Sequence, residues 1–423
     1  MFYAGFMSTL SFTALRIKDF RLLLFTRVFS MMALQAQAVI VGWQIYSLTK
    51  NPFMLGLTGL TEALPAIGCA LFAGHVVDIS RPHRVYFLSI GALTLNTFTL
   101  LLLAGGFIAL QSHAVILAIF IGVFISGASR GFIMPASFSL LPRIVTRADI
   151  SSASGWLSSG FQLATICGPA IAGLVYGGYG ARAAWFLPTS LMLAGLCMLT
   201  GISDTHRRYR SEQKREPARQ SIAAGWRFIL HNRVLLSVMA LDMFAVLFGG
   251  ATAMLPAYAD RVLHVGSEGL GALRAAPALG AIVSALVFAM RPFRLVRGSL
   301  LLWVITGFGI SMIGFGSSNI FWVSMICLAA SGAFDSVSMV MRGTLMQLLT
   351  PDAMRGRVSA VNSMFIISSN EIGAFESGLA AKLLGLVPSV IIGGIGTLVV
   401  VATTAWLSPQ LRKLVVDSHQ PAT

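Results

Sequence analysis

HAVILAIFIGVFISGASRGFIMPASFSL, residues His113–Leu140, carries a single formal charge, Arg130, across its whole length. Its apolar residues follow one another without strict alternation, so it does not read as a strand of a membrane barrel. About 20 such residues span the hydrocarbon core as a helix. Working outward in both directions, comparable runs fall at 20–47, 53–78, 84–107, 149–177 and 183–201, and then at 233–258, 266–290, 298–316, 319–347, 358–381 and 386–407. The composition agrees: 56% hydrophobic, 11% charged, mean hydropathy +0.81, where a soluble chain is about a quarter charged. The expected fold class is an all-α polytopic membrane protein with twelve transmembrane helices.

The net charge of +15 follows from topology and calls for no nucleic acid. Of the 30 Lys and Arg, 22 fall on one alternate set of connections plus both termini. Four (Lys50, Arg182, Arg261, Lys382) fall on the other set, and four (Arg27, Arg130, Arg274, Arg342) lie inside spans. The positive-inside rule then puts both termini and the central loop in the cytoplasm of a bacterial inner membrane. The expected domains are a cytoplasmic segment 1–19, a six-helix bundle 20–201, a basic linker 202–232 that touches anionic lipid heads, a second bundle 233–407 and a tail 408–423. Arg16, Lys18 and Arg21 follow the apolar stretch Met1–Leu15, the reverse of a cleaved signal peptide. The four cysteines all sit in apolar runs without metal-ligand spacing, and read as small buried hydrophobes.

The second half echoes the first. Ser126-Gly127-Ala128 returns as Ser331-Gly332-Ala333, 205 positions on, and Leu64-Pro65-Ala66-Ile67-Gly68 as Ala276-Pro277-Ala278-Leu279-Gly280, 212 positions on. Each match is then followed by a basic turn at the same place in its half. Two duplicated six-helix bundles with a midplane site between them form the alternating-access plan.

These features resemble the major facilitator superfamily over essentially the whole chain. After its second span that family carries Gly-x-x-x-Asp and a basic cluster, which stands here as Gly74-His-Val-Val-Asp78-Ile-Ser-Arg81-Pro-His-Arg84 with Ile79 where an Arg usually follows. The resemblance implies a cytoplasmic latch. In the fifth span, Gly168-Pro169-Ala-Ile-Ala172-Gly173 is similar to the Gly-Pro-x-x-Gly-Gly motif of the family's antiporters, with Ala172 replacing one Gly. Lys18-Asp19-Phe20-Arg21, Gly42-Trp43-Gln44-Ile45-Tyr46, Arg130-Gly-Phe132-x-x-Pro135-Ala136 and Pro351-Asp352 to Arg357 resemble the branch of siderophore and drug efflux proteins. That implies proton-driven export of an amphipathic small molecule.

Ionisable groups inside spans are costly and mark function by default. In the family's fold, spans 1, 4, 7 and 10 line the cavity, which singles out Arg27, Arg130, Asp242, Asp335 and Arg342. Asp335 and Arg342 share a helical face, and Asp335 is expected to titrate with Arg130 or Arg342 as partner. A flanking set comprises Glu62, Arg274, Glu371 and Glu376. Glu62 is expected to approach Glu371 or Glu376, since carboxylates in one desolvated site share a proton. Arg27 reads as a gate or snorkelling residue, and Gln35, Trp43, Gln44 and Phe138 as cavity lining. No phosphate-binding loop, metal set or Ser–His or Cys–His pair is present in the sequence.

The reading is therefore a monomeric secondary transporter that exports a siderophore, drug or other amphipathic compound against protons. It uses no cofactor and no metal, and its partners are the small molecule, protons and the bilayer. A nutrient symporter or lysophospholipid transporter on the same fold is the alternative, with a membrane-embedded enzyme or receptor behind it.

Overall fold

The computed structural model describes residues 13–106, 111–146, 149–203, 218–290 and 295–417; at Gly74, Asp78 and Glu371, among others, only the backbone is described. A short turn, Thr13–Arg16, leads into α1 (Lys18–Thr49), α2 (Pro52–Ile79), α3 (Pro82–Ala104) and α4 (Ser112–Ile144). The next helical stretch, Ile150–Thr200, bends at Gly180. It comprises α5 (150–179) and α6 (181–200). A loop was expected between spans 5 and 6, and a single residue makes the turn instead. Gly180 has φ +79°, a left-handed conformation that costs a residue without a Cβ little.

An amphipathic helix, Ala218–His231, precedes α7 (Arg233–Gly249), which is prolonged by a 3₁₀ turn, Ala251–Met254, and by Leu255–Arg261. Then follow α8 (Gly266–Met290), α9 (Gly298–Ser317), α10 (Phe321–Leu349), α11 (Asp352–Leu384) and α12 (Leu386–Leu407). Among the described residues ten helical stretches are long and apolar enough to cross a bilayer, the α5–α6 stretch counting as one of them. The twelfth rod, α11, is 33 residues long and carries more charge. The all-helical expectation has one exception among the described residues. Leu295–Arg297 and Val415–Asp417 form an antiparallel pair, with Val296 opposite Val416.

The chain divides into two compact units, Met1–Leu48 with Leu64–Arg215, and Thr49–Ala63 with Glu216–Thr423. In the first, Phe20, Leu23, Tyr86, Ile90, Leu140 and Leu157 form a buried apolar cluster. A polar thread runs through it. Gln37 donates to the Ser126 hydroxyl at 2.7 Å, and Asn96 donates to the same hydroxyl at 3.1 Å and to the Gly122 carbonyl at 3.0 Å. In hydrocarbon such side-chain bonds tie helices together, each being worth about 0.6 kcal/mol on average. In the second unit α8 packs along α10 and α9 along α12. The N-terminal end of α2 belongs to this unit because Phe53 packs edge-on against Phe375 at 6.0 Å under the Lys382 ammonium, and Lys50 pairs with Asp260 at 2.9 Å.

Near the repeated motifs the two units use one packing device at positions that are not equivalent, since Gly332 matches Gly127 and not Gly131. In the first unit the Ala66 carbonyl faces Gly131 of α4, and in the second the Pro277 carbonyl faces Gly332 of α10. A small residue in each case lets the backbone beside a proline come close to its neighbour.

Candidate functional site

In the second unit, Asp242 on α7 and Arg342 on α10 form a direct ion pair. Both are buried, at 7% and 8% exposure. Arg342 is also held by its own helix, its Nε donating to the Ser338 carbonyl at 3.3 Å. Asp335 stands two turns earlier on α10, half-buried, within electrostatic reach of both Arg342 and Asp242. Asp335 was expected to partner Arg130 or Arg342; the direct partner of Arg342 is Asp242. The result is one guanidinium among two carboxylates, so with all three ionised the cluster carries one uncompensated negative charge.

The first unit holds the opposite arrangement. The Arg27 guanidinium on α1 lies against α4, its centre 4.9 Å from the Phe138 ring, with Nη2 donating to Met134 Sδ at 3.6 Å. Arg130, also on α4, is half-buried and engaged in a contact of its own.

The remaining residues are placed as follows. Glu62 is half-buried with a partner, Glu376 sits beside the Ser377 hydroxyl, and Arg274 on α8 has a buried Nε without a hydrogen-bond partner. The side chain of Glu371 lies outside the described residues, so its approach to Glu62 does too. Gln44 accepts a hydrogen bond from the Trp185 indole at 2.9 Å, and Trp43 packs edge-on against Tyr176, tying α1 to α6 and α5. Gln35 and Gly168 mark where α5 meets α1. A Cβ on Gly168 would lie 2.7 Å from the Met32 carbonyl oxygen, so the Gly168-Pro169 step is where the two backbones touch. Pro169 follows inside the helix, and Gly173 is buried one turn on. Of the turn after α2, Arg81 and Arg84 are exposed, while Gly74 and Asp78 are outside the side-chain description.

Sequence reasoning missed Tyr86 and Ser137, whose buried hydroxyls have no hydrogen-bond partner. The signal was faint: a tyrosine one turn into a span, and a serine next to Phe138. Outside the spans, Asp149 precedes α5, and hydrogen bonds from the hydroxyls of Thr146 (2.7 Å) and Thr13 hold its carboxyl below the usual aspartate value.

The family model described as transmembrane secretion effector matches residues 9–421. Among curated relatives, the enterobactin exporter EntS of Citrobacter koseri is 26% identical over 405 residues, covering 93% of this chain and 92% of the relative. The Escherichia coli exporter of that name is 26% identical over 401 residues, with the same coverage. Among solved structures, a POT family transporter in complex with 5-aminolevulinic acid superposes with a TM-score of 0.71 at 12% identity, over 93% of this chain and 96% of that one. A bacterial homologue of the iron transporter ferroportin in an inward-facing state gives a TM-score of 0.68 at 15% identity, over 95% and 99%. At such identities the structures carry the fold, and the family model carries membership. The protein is an integral membrane transporter, and the chain belongs to the transmembrane secretion effector family of the major facilitator superfamily.

Proposed function

We propose that this transporter exports an amphipathic organic molecule across a bacterial inner membrane in exchange for protons, by alternating access, with both termini in the cytoplasm. The likeness to enterobactin exporters supports the outward direction. One observation carries the coupling: the buried Asp242–Arg342 pair has a second carboxylate, Asp335, nearby, and among the described residues Arg342 is the cation that both acids face. A surplus acid in a low-dielectric site is relieved by taking up a proton, and any motion that shifts Arg342 between the two carboxylates changes which of them needs it. Proton affinity then depends on conformation, as exchange requires. The Gly168-Pro169 contact between α5 and α1 is the proposed hinge, and Asp78 with Arg81 and Arg84 the proposed latch.

The test uses proteoliposomes with an imposed proton gradient. Asp335→Asn removes the surplus acid and leaves the Asp242–Arg342 pair in place. The variant is expected to bind substrate and to exchange it at equilibrium, but to lose proton-driven accumulation. Accumulation at the wild-type rate would place the coupling elsewhere, with Glu62 and Glu371 next in line.

A further inference from the structure

The proton-coupled cluster leaves a second in-span charge, the half-buried Arg27, unused. Among the described residues no carboxylate lies within ion-pair distance of Arg27, and its Nη1 is buried with no hydrogen-bond partner. Two further buried atoms without partners belong to the same neighbourhood, Tyr86 Oη on α3 and Ser137 Oγ on α4. The Tyr86 hydroxyl stands beside those of Ser30 and Ser137 and within electrostatic reach of Arg27. Ser30 gives its own proton to the Thr26 carbonyl at 2.7 Å, so it offers its neighbours only acceptor lone pairs. All of these residues lie in one compact unit.

The inventory is lopsided. A guanidinium N–H and two hydroxyls are available to donate, and the acceptor that the Arg27 guanidinium reaches is a thioether, which accepts weakly. Buried donors left unmade cost about 1–3 kcal/mol each, more when charged. Three α-helices have therefore assembled a site that a negatively charged oxygen would complete. Beside it the surface turns apolar. Phe138 and Met134 are 54% and 44% exposed, and the thioether and ring that hold the guanidinium also offer faces to an aromatic body.

We propose that Arg27, with Tyr86 and Ser137 behind it, binds the carboxylate or phenolate oxygen of an aromatic anion, and that Phe138 and Met134 pack against its ring. The inference rests on the export reading, since it names the class of molecule exported; the binding test is independent of transport.

Full-length protein in lipid nanodiscs is titrated with 1-naphthoate and, separately, with 1-naphthalenemethanol, which has the same ring system and no charge. Wild type is expected to prefer the anion. Arg27→Gln should weaken naphthoate by about tenfold or more, the loss expected for a charge-assisted hydrogen bond, and leave the alcohol unchanged. Arg27→Lys should recover part of the loss. Tyr86→Phe and Ser137→Ala, which disturb packing least, should each cost about two- to tenfold for the anion alone. They carry the test if Arg27→Gln fails to fold. The proposal is overturned if wild type shows no preference for the anion, as a pocket holding only water would give. It is equally overturned if the variants weaken both probes alike or neither. Anion preference without proton-driven transport in the same preparation would leave this site standing and remove the exchange reading; transport without anion preference would do the reverse.

Discussion

Arg27 in the first unit and Arg342 in the second are both guanidiniums set into membrane-spanning helices, and the chain treats them in opposite ways. Arg342 is paired with Asp242 and has a second acid, Asp335, within reach. Arg27 has an aromatic ring, a thioether and two unsatisfied hydroxyls. A duplicated scaffold has thus arrived at a site with surplus negative charge in one half and surplus positive charge in the other. The first suits a proton and the second an anion. Both imbalances are costly in hydrocarbon, so the comparison can be broken by removing one charge at a time.

The largest effect is expected at the paired site. Asp242→Ala leaves Arg342 buried beside an acid two turns away instead of in contact. Removing one member of a buried pair costs about 3–5 kcal/mol. The apparent Tm in detergent should fall steeply. In the double variant, Asp242→Ala with Arg342→Met, most of the loss should return, because no unpaired charge remains. A double variant as unstable as the single one would mean that packing and not charge holds α7 to α10.

How much of this was legible beforehand follows from the kind of signal each residue gives. The helices were readable because an apolar run of span length has one stable form in lipid. The break between spans 5 and 6 was readable too, since Gly180 falls in the gap between 177 and 183; that one residue makes the whole turn was not, because Gly180 acts through its backbone. All four in-span arginines were visible as charges among apolar residues, whereas their partners were not. Asp242 and Arg342 are a hundred positions apart, and a seven-residue spacing on one helix pointed to Asp335 instead. Tyr86 and Ser137 were silent because an uncharged hydroxyl in a span normally satisfies itself on its own helix, as Ser89 does on the Val85 carbonyl.

The middle effect has a different sign. Arg27→Met removes an unpaired cation and keeps a flexible apolar chain against Phe138 and Met134. It forfeits a cation–π contact of about 0.5–2 kcal/mol, offset by relief of desolvated charge. The apparent Tm of the ligand-free protein is expected to hold or rise, while naphthoate protection against heating disappears. A Tm drop like that of Asp242→Ala would show that Arg27 is a structural strut with a partner of equivalent strength, and the contrast between the halves would collapse.

The smallest effect is expected where the charge has water around it. Asp149 lies outside the spans, partly exposed to water, and its carboxyl titrates below its ordinary value of 3.8 because the hydroxyls of Thr146 and Thr13 donate to its ionised form. A folded-state value below the unfolded one stabilises the protein above the unfolded value, and that contribution is lost as pH falls through the folded one. Near neutral pH the wild type should therefore melt slightly above Asp149→Asn. The gap should close as the pH drops below 3.8 and the carboxylate is protonated. The variant's asparagine accepts from the same hydroxyls without a charge, so what the subtraction isolates is the ionic share of those two bonds. Melting curves of both proteins at matched pH and salt measure it. A gap at neutral pH as large as the one produced by Asp242→Ala, or one that stays constant into acid, would mean that exposure to water does not set the size of these effects. The difference between Arg27 and Arg342 would then need an explanation other than burial and pairing.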